Sequence, residues 1–153
     1  MSSGGSTNPS VLTRQHAVVQ SLLAIADRTR GRIERDLAGY GITFQQFNVL
    51  QILSESGGEG LPTLEVAERL LERTPGITRL MDRLEGRGLI VRQRGSDRRR
   101  VLCSITAEGR SILETARPRV VQGEQTTVGS LNPNELGALG HFLNRIRINI
   151  GVD

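Results

Sequence analysis

Between Val11 and Leu37 the apolar residues Val18, Leu22, Ile25, Ile33 and Leu37 recur at helical spacing, with Arg28, Arg30, Arg32 and Arg35 between them, which predicts a long first helix. Gly39-Tyr40-Gly41 stops it. Thr43 and Gln46 then form a capping-box signature ahead of a second helix running to about Glu55, with Phe47, Leu50 and Leu53 inward. After the glycines at 57, 58 and 60, Pro62 and Thr63 open a short third helix, with Leu64, Ala67, Leu70 and Leu71 expected inside. Thr74-Pro75 reads as the N-cap and first-turn proline of a fourth helix. On it Ile77, Leu80, Met81 and Leu84 share one face, while Arg79, Arg83 and Arg87 line another. Gly88 ends that helix, and Leu89–Gln93 and Val101–Ile105 read as two strands of a hairpin, with Val101, Cys103 and Ile105 pointing one way. Thr106 caps a fifth helix towards Val128, which Pro118 and Gly123 are expected to bend or weaken. Asn132-Pro133-Asn134-Glu135 starts a last helix carrying Leu136, Leu139, Leu143, Ile146 and Ile150.

Composition narrows the class. A chain of 153 residues is one domain's worth, and 37% hydrophobic with 24% charged residues is ordinary for a soluble protein. No apolar run approaches the roughly 18 residues of a membrane span. The opening MSSGGSTNPS has no basic region followed by an apolar stretch, so a flexible tail over 1–10, no signal peptide and a cytoplasmic location are expected. A lone Cys103 and two distant histidines, His16 and His141, offer no disulfide framework and no metal-ligand spacing, so no metal and no cofactor are expected. The net charge is +4. From Arg69 to Arg110, however, eleven arginines face five acidic residues. All 20 basic residues of the chain are arginines, a bias from which no function follows.

Two short helices joined by a tight turn and followed by a hairpin make a winged helix-turn-helix in a mainly α, α+β chain. A helix fits the major groove of duplex DNA, and one with an apolar and an arginine face can dock on its own domain and on DNA together. The hairpin tip, Gly95-Ser96-Asp97 followed by Arg98, Arg99 and Arg100, can reach the adjacent minor groove, whose potential favours arginine.

Residues 63–106, TLEVAERLLERTPGITRLMDRLEGRGLIVRQRGSDRRRVLCSIT, resemble the DNA-binding core of the MarR (multiple antibiotic resistance regulator) family. That family's pattern is T-R-L-x-D-R-L-E-x-x-G-L on the recognition helix and a wing with D-x-R ahead of V-x-L-T. Here stand Thr78-Arg79-Leu80, Asp82-Arg83-Leu84-Glu85 and Gly88-Leu89, then Asp97-Arg98-Arg99 and Ile105-Thr106. Ile42-Thr43 through Leu50 is similar to the family's second helix, and the likeness extends over nearly the whole chain after residue 10. Leu71 replaces a common turn glycine, the wing tip is short, and Cys103 replaces a more usual valine.

The resemblance implies a homodimeric, ligand-responsive repressor on a pseudo-palindromic operator. Residues 11–38 and 107–150 would be its long N- and C-terminal dimerisation helices, and 43–106 its winged helix-turn-helix. It implies a pocket between these parts for a small aromatic or lipophilic effector. By match to the family's motif, Arg99 enters the minor groove braced by Asp97, and Thr78, Arg79 and Arg83 lie near bases or phosphates. With the turn and the wing, the expected DNA-binding set is Thr74, Pro75, Gly76, Thr78, Arg79, Arg83, Arg94, Asp97, Arg98, Arg99 and Arg100.

Simpler readings compete. The Arg79, Arg83 and Arg87 line can be a solvated face paired with Asp82 and Glu85 within the helix, and Arg87 can serve only the helix dipole. A basic winged helix can also be a protein-interaction module without sequence-specific DNA binding. Asp82 reads best as a structural partner that fixes an arginine. Cys103 reads as a small buried apolar residue, since the family's peroxide sensors carry their cysteine in the first helix. Tyr40, Phe44, Phe47 and Phe142 read as core, and His16 and His141 as surface or dimer interface. No nucleophile with its base, carboxylate pair, phosphate-cradling loop or metal motif points to an enzyme. Aromatics are 3% of the chain, too few for stacking single-stranded bases.

Overall fold

The computed structural model of the chain describes residues 9–58, 60–70, 76–94 and 101–151. Helix α1 spans Pro9–Ala38 and α2 Phe44–Glu55; a short strand β1, Leu61–Pro62, leads into α3, Thr63–Arg69. Helix α4 is Ile77–Gly86, the strands β2 and β3 are Ile90–Arg94 and Val101–Ile105, and α5 and α6 are Ala107–Val128 and Pro133–Asn149.

Helix α1 starts at Pro9, inside the stretch expected as a tail, because proline's preset φ and missing amide suit a first helical turn; residues 1–8 lie outside the described residues. The expected box opens α2: the Gln46 amide donates to Thr43 Oγ1 at 3.2 Å, and the Thr43 amide donates to Gln46 Oε1 at 3.0 Å. Glu34 of α1 accepts from the Phe44 amide at 3.0 Å, so the start of α2 is pinned to α1 as well.

Strand β1 has no signal in the pattern of apolar residues, since two residues cannot show a period. It pairs antiparallel with β3, Leu61 opposite Cys103, and the sheet order is β1-β3-β2. This pairing sets the rotation of α3 and corrects the inward face expected for it. Leu64 is 71% exposed and Val66 is fully buried, with Ala67 and Leu70 half-buried. Leu71 lies outside the described residues.

The start of α4 also differs. The helix begins at Ile77 with Gly76 in the cap position at φ +86°, a left-handed conformation that glycine adopts freely. Thr74 and Pro75, expected to start it, lie outside the described residues. At its other end the Gly88 amide donates to Glu85 O at 2.8 Å and the Leu89 amide to Leu84 O at 3.0 Å, with Gly88 at φ +70°. This is a Schellman cap. It consumes Leu89, which is why β2 starts at Ile90.

Pro118 lies inside an uninterrupted α5. Gly123, expected as a weak point, is instead a place of close approach: a Cβ there would lie 3.1 Å from Ile33 Cγ1 of α1. The Thr29 and Thr127 hydroxyls join the same two helices at 3.1 Å.

One core holds Ile33 and Leu37 of α1, Phe47, Leu50 and Leu53 of α2, Val66, the Leu80, Met81 and Leu84 face of α4, Ile90, Cys103, and Leu113, Ala116 and Val120 of α5. No residue of α6 is buried, although its capping box at Asn132 and Glu135 is complete. Phe142, expected in the core, is 55% exposed with its ring edge-on to His141, and Val18, Leu23 and Ile25 of α1 are also exposed. Among the described residues no helix is long and apolar enough to cross a membrane.

Candidate nucleic-acid interface

Helix α4 packs Leu80, Met81 and Leu84 inward with Ile77 half-buried, and this fixes what it shows to solvent. Gly76, Thr78, Arg79 and Arg83 are all exposed. Among the described residues neither Arg79 nor Arg83 has an acidic partner. The intrahelical pairing with Asp82 and Glu85 is therefore not what forms.

Both acids turn to Arg92 on β2 instead. Arg92 Nη1 lies 2.7 Å from Asp82 Oδ1 and 3.2 Å from Glu85 Oε2, and the Arg92 amide donates to Glu85 Oε1 at 3.3 Å. Burial works against the Arg92 charge, but the hydrogen bond to Asp82 and the fields of Glu85 and Asp82 outweigh it and hold the guanidinium above its ordinary range. Asp82 thus pairs with an arginine, as its odd placement suggested, and that arginine belongs to the hairpin. The pairing had no sequence signal of its own, because it depends on the angle at which β2 leaves α4.

Arg87 is the C-cap residue of α4 and donates from Nη1 to the Gly41 carbonyl in the turn between α1 and α2. It anchors the helix end and does not continue the Arg79 and Arg83 line. The hairpin runs from Ile90 opposite Ile105 to Arg94 opposite Val101. Arg94 is exposed in the last described pair, with Val101 46% exposed beside it. Asp97, Arg98, Arg99 and Arg100 lie outside the described residues. Of the strand positions Val101, Cys103 and Ile105, only Cys103 is fully buried, with its Sγ 3.5 Å from Thr63 Oγ1.

A second feature lies on the far side of α2. Phe44, Asn48, Gln51 and Ile52 meet Leu70 and Glu124 around a cleft of about 330 Å³. Phe44 and Phe47 are both expected in the core from the sequence. Phe47 is 2% exposed and Phe44 half-buried, yet both also line this cleft. The signal available was the i, i+4, i+7, i+8 spacing of Phe44, Asn48, Gln51 and Ile52, a mixed amide and apolar face opposite the buried one.

Residues 40–100 match the family model described as "MarR family". FarR of Neisseria gonorrhoeae, an HTH-type transcriptional regulator, is 36% identical over 74 residues, 48% of this chain and 49% of that one. PapX of Escherichia coli, another such regulator, is 30% identical over 103 residues, 67% of this chain and 63% of that one. The matched region thus spans about half to under two thirds of these two relatives. Among solved structures, BpsR of Bordetella bronchiseptica superposes with a TM-score of 0.74 at 27% identity, over 85% of this chain and 98% of that one. The DNA binding of BpsR is regulated by 6-hydroxynicotinic acid.

Proposed function

The chain belongs to the MarR family of transcriptional regulators, and from that premise we propose that it acts as a homodimeric, ligand-responsive repressor on a pseudo-palindromic duplex operator. The observation that carries this reading is the exposed pair Arg79 and Arg83, free of acidic partners among the described residues, beside a hairpin that continues into Asp97 and three arginines. Thr78, Arg79 and Arg83 enter the major groove from α4, with Gly76 and the preceding Thr74 and Pro75 at its backbone edge. Arg94 and Arg98 to Arg100 reach the neighbouring minor groove and phosphates, Arg99 being aimed by Asp97.

Residues 43–106 form the DNA-binding part of this reading, and residues 11–38 and 107–150 the dimerising part. The apolar side chains of α6 and of α1 support it, since Leu136, Phe142, Leu143, Ile146, Val18 and Ile25 stand uncovered in one protomer. A second copy buries them and relates two recognition helices by a two-fold axis. The cleft beside α2 is the effector site, taking a small aromatic or lipophilic molecule, as BpsR responds to one. It touches Leu70, the C-cap residue of α3, and α3 packs against α4, so an occupant that fits one angle of α4 better than another shifts the balance between binding and non-binding forms. The chain acts in the cytoplasm.

Selection of duplexes from a random pool tests the reading. A palindromic consensus is expected, with log affinity falling against log salt at a slope near −0.9 per contacted phosphate. Enrichment of no sequence, with affinity for an acidic protein instead, leaves the protein-interaction module as the function.

A further inference from the structure

Helix α4 is a poor ligand for a polyanion by formal charge alone. Arg79 and Arg83 are balanced by Asp82 and Glu85 in the same ten residues, so an isolated α4 carries no net charge. Both acids keep substantial exposure, with side chains 53% and 39% accessible, so neither is disposed of by burial. What separates the signs, among the described residues, is Arg92, which reaches both carboxylates. Arg92 Nη1 is 2.7 Å from Asp82 and 3.2 Å from Glu85, and its own side chain is only 23% accessible. Its strand partner is Cys103, the fully buried centre of β3, so the side chain leaves from the middle of the paired segment.

We infer that Arg92 is a positioning residue for duplex recognition: it gathers Asp82 and Glu85 onto the hairpin side of α4, leaves Arg79 and Arg83 to face phosphate unopposed, and locks the angle between recognition helix and wing. The inference rests on the DNA-binding reading above. Two consequences separate it from ordinary packing. Loss of the Arg92 side chain leaves both carboxylates without their counter-charge, Glu85 keeping only the backbone amide of residue 92, a repulsion towards phosphate that neutral isosteres at 82 and 85 remove. Loss of the fixed angle harms a matched operator, which needs helix and wing in register, more than a random duplex, which needs only charge.

The experiment measures affinity for the selected operator and for a random duplex at one salt concentration. It uses the wild-type protein, Arg92→Gln, Arg92→Lys, and Arg92→Gln combined with Asp82→Asn and Glu85→Gln, with melting temperature recorded alongside. Arg92→Gln is expected to lose on the order of tenfold on the operator and less on the random duplex, so that the ratio between them narrows. Arg92→Lys keeps the charge on a shorter side chain without the planar guanidinium and falls between. The triple variant is expected to recover most of the loss on the random duplex while its operator-to-random ratio stays low.

A merely structural Arg92 predicts equal losses on both duplexes and no recovery in the triple variant, and that result would overturn the inference. So would an Arg92→Gln protein with unchanged ratio and affinity. If Arg92→Gln does not fold at the assay temperature, Arg92→Lys with and without the two acid substitutions makes the same comparison. A wild-type protein with no salt-dependent duplex binding instead removes the reading on which the inference rests, and the two failures are distinct.

Discussion

Gly109, in the first turn of α5, passes so close to the carbonyl oxygen of Leu89 that a methyl group there would overlap it, with Ile105 Cγ1 closing the other side at 3.0 Å. The same carbonyl accepts from the Thr106 amide at 3.1 Å, and Thr106 Oγ1 donates to Gly88 O at 2.7 Å. The end of α4, the base of the hairpin and the start of α5 therefore meet at one point. Gly109→Ala forces two backbones apart, which rotamer changes cannot relieve. A loss of about 1–3 kcal/mol is expected, larger than the helix-propensity gain of roughly 1 kcal/mol. Thermal unfolding checks this against Gly31→Ala, whose Cβ meets only Arg35 Nη1 at 3.6 Å and which should be neutral or stabilising.

The arginines of helix and wing differ in what their loss does. Arg79→Ala or Arg83→Ala is expected to weaken operator binding and alter sequence preference, each by about 1–3 kcal/mol if a base contact is lost. Arg98→Ala or Arg100→Ala should weaken all duplexes alike and reduce the salt slope by about one phosphate. Arg99→Ala should weaken operator binding strongly with little change in melting temperature. Titrations of several duplexes across salt concentrations separate these cases, and unchanged affinity for Arg99→Ala would take the wing out of the mechanism.

Dimerisation is expected to depend on the helix that a single copy leaves bare. A chain ending after Leu131 is expected to sediment as a monomer and to lose operator binding, since α6 carries Leu136, Phe142, Leu143 and Ile146 at 40% exposure or more. Ile146→Asp in the full chain should do the same without removing any backbone. A truncated chain that still sediments as a dimer would refute the arrangement.

Cys103 should behave as a packing residue. Its side chain is 0% exposed in the centre of β3, so thiol reagents are expected to modify it only after unfolding. Cys103→Val should leave duplex affinity and its response to peroxide unchanged, measured by titration before and after oxidant. An oxidant-sensitive affinity in the natural protein that is lost in the valine variant would contradict this.

Substitution in the cleft should separate response from binding. Phe44→Ala or Asn48→Ala is expected to leave operator affinity within about threefold while abolishing release by whichever aromatic or lipophilic compound releases the natural protein. Release that persists in both variants would place the effector elsewhere.

The helix order, the capping boxes at Thr43 and Asn132, the inward faces of α2 and α4 and the hairpin strands were legible in the sequence. Each is a local matter, set by side-chain period and by hydrogen bonds within three or four residues. The exposed Arg79 and Arg83 were legible for the same reason, because placing Leu80, Met81 and Leu84 inside leaves them outside.

What tertiary structure decided are the relations between elements that no local period encodes. Strand β1 exists only because β3 offers it an edge, and that pairing turned Leu64 outward and Val66 inward. Gly123 proved to be a contact because α1 happens to cross there. Asp82 could be suspected of pairing with an arginine, but the choice of Arg92 over its own helix neighbours follows from where the Schellman cap at Gly88 sends β2. The sequence by itself determined which surface is basic; only the fold, by bringing Arg92 across to both acids, left Arg79 and Arg83 without an acidic partner among the described residues.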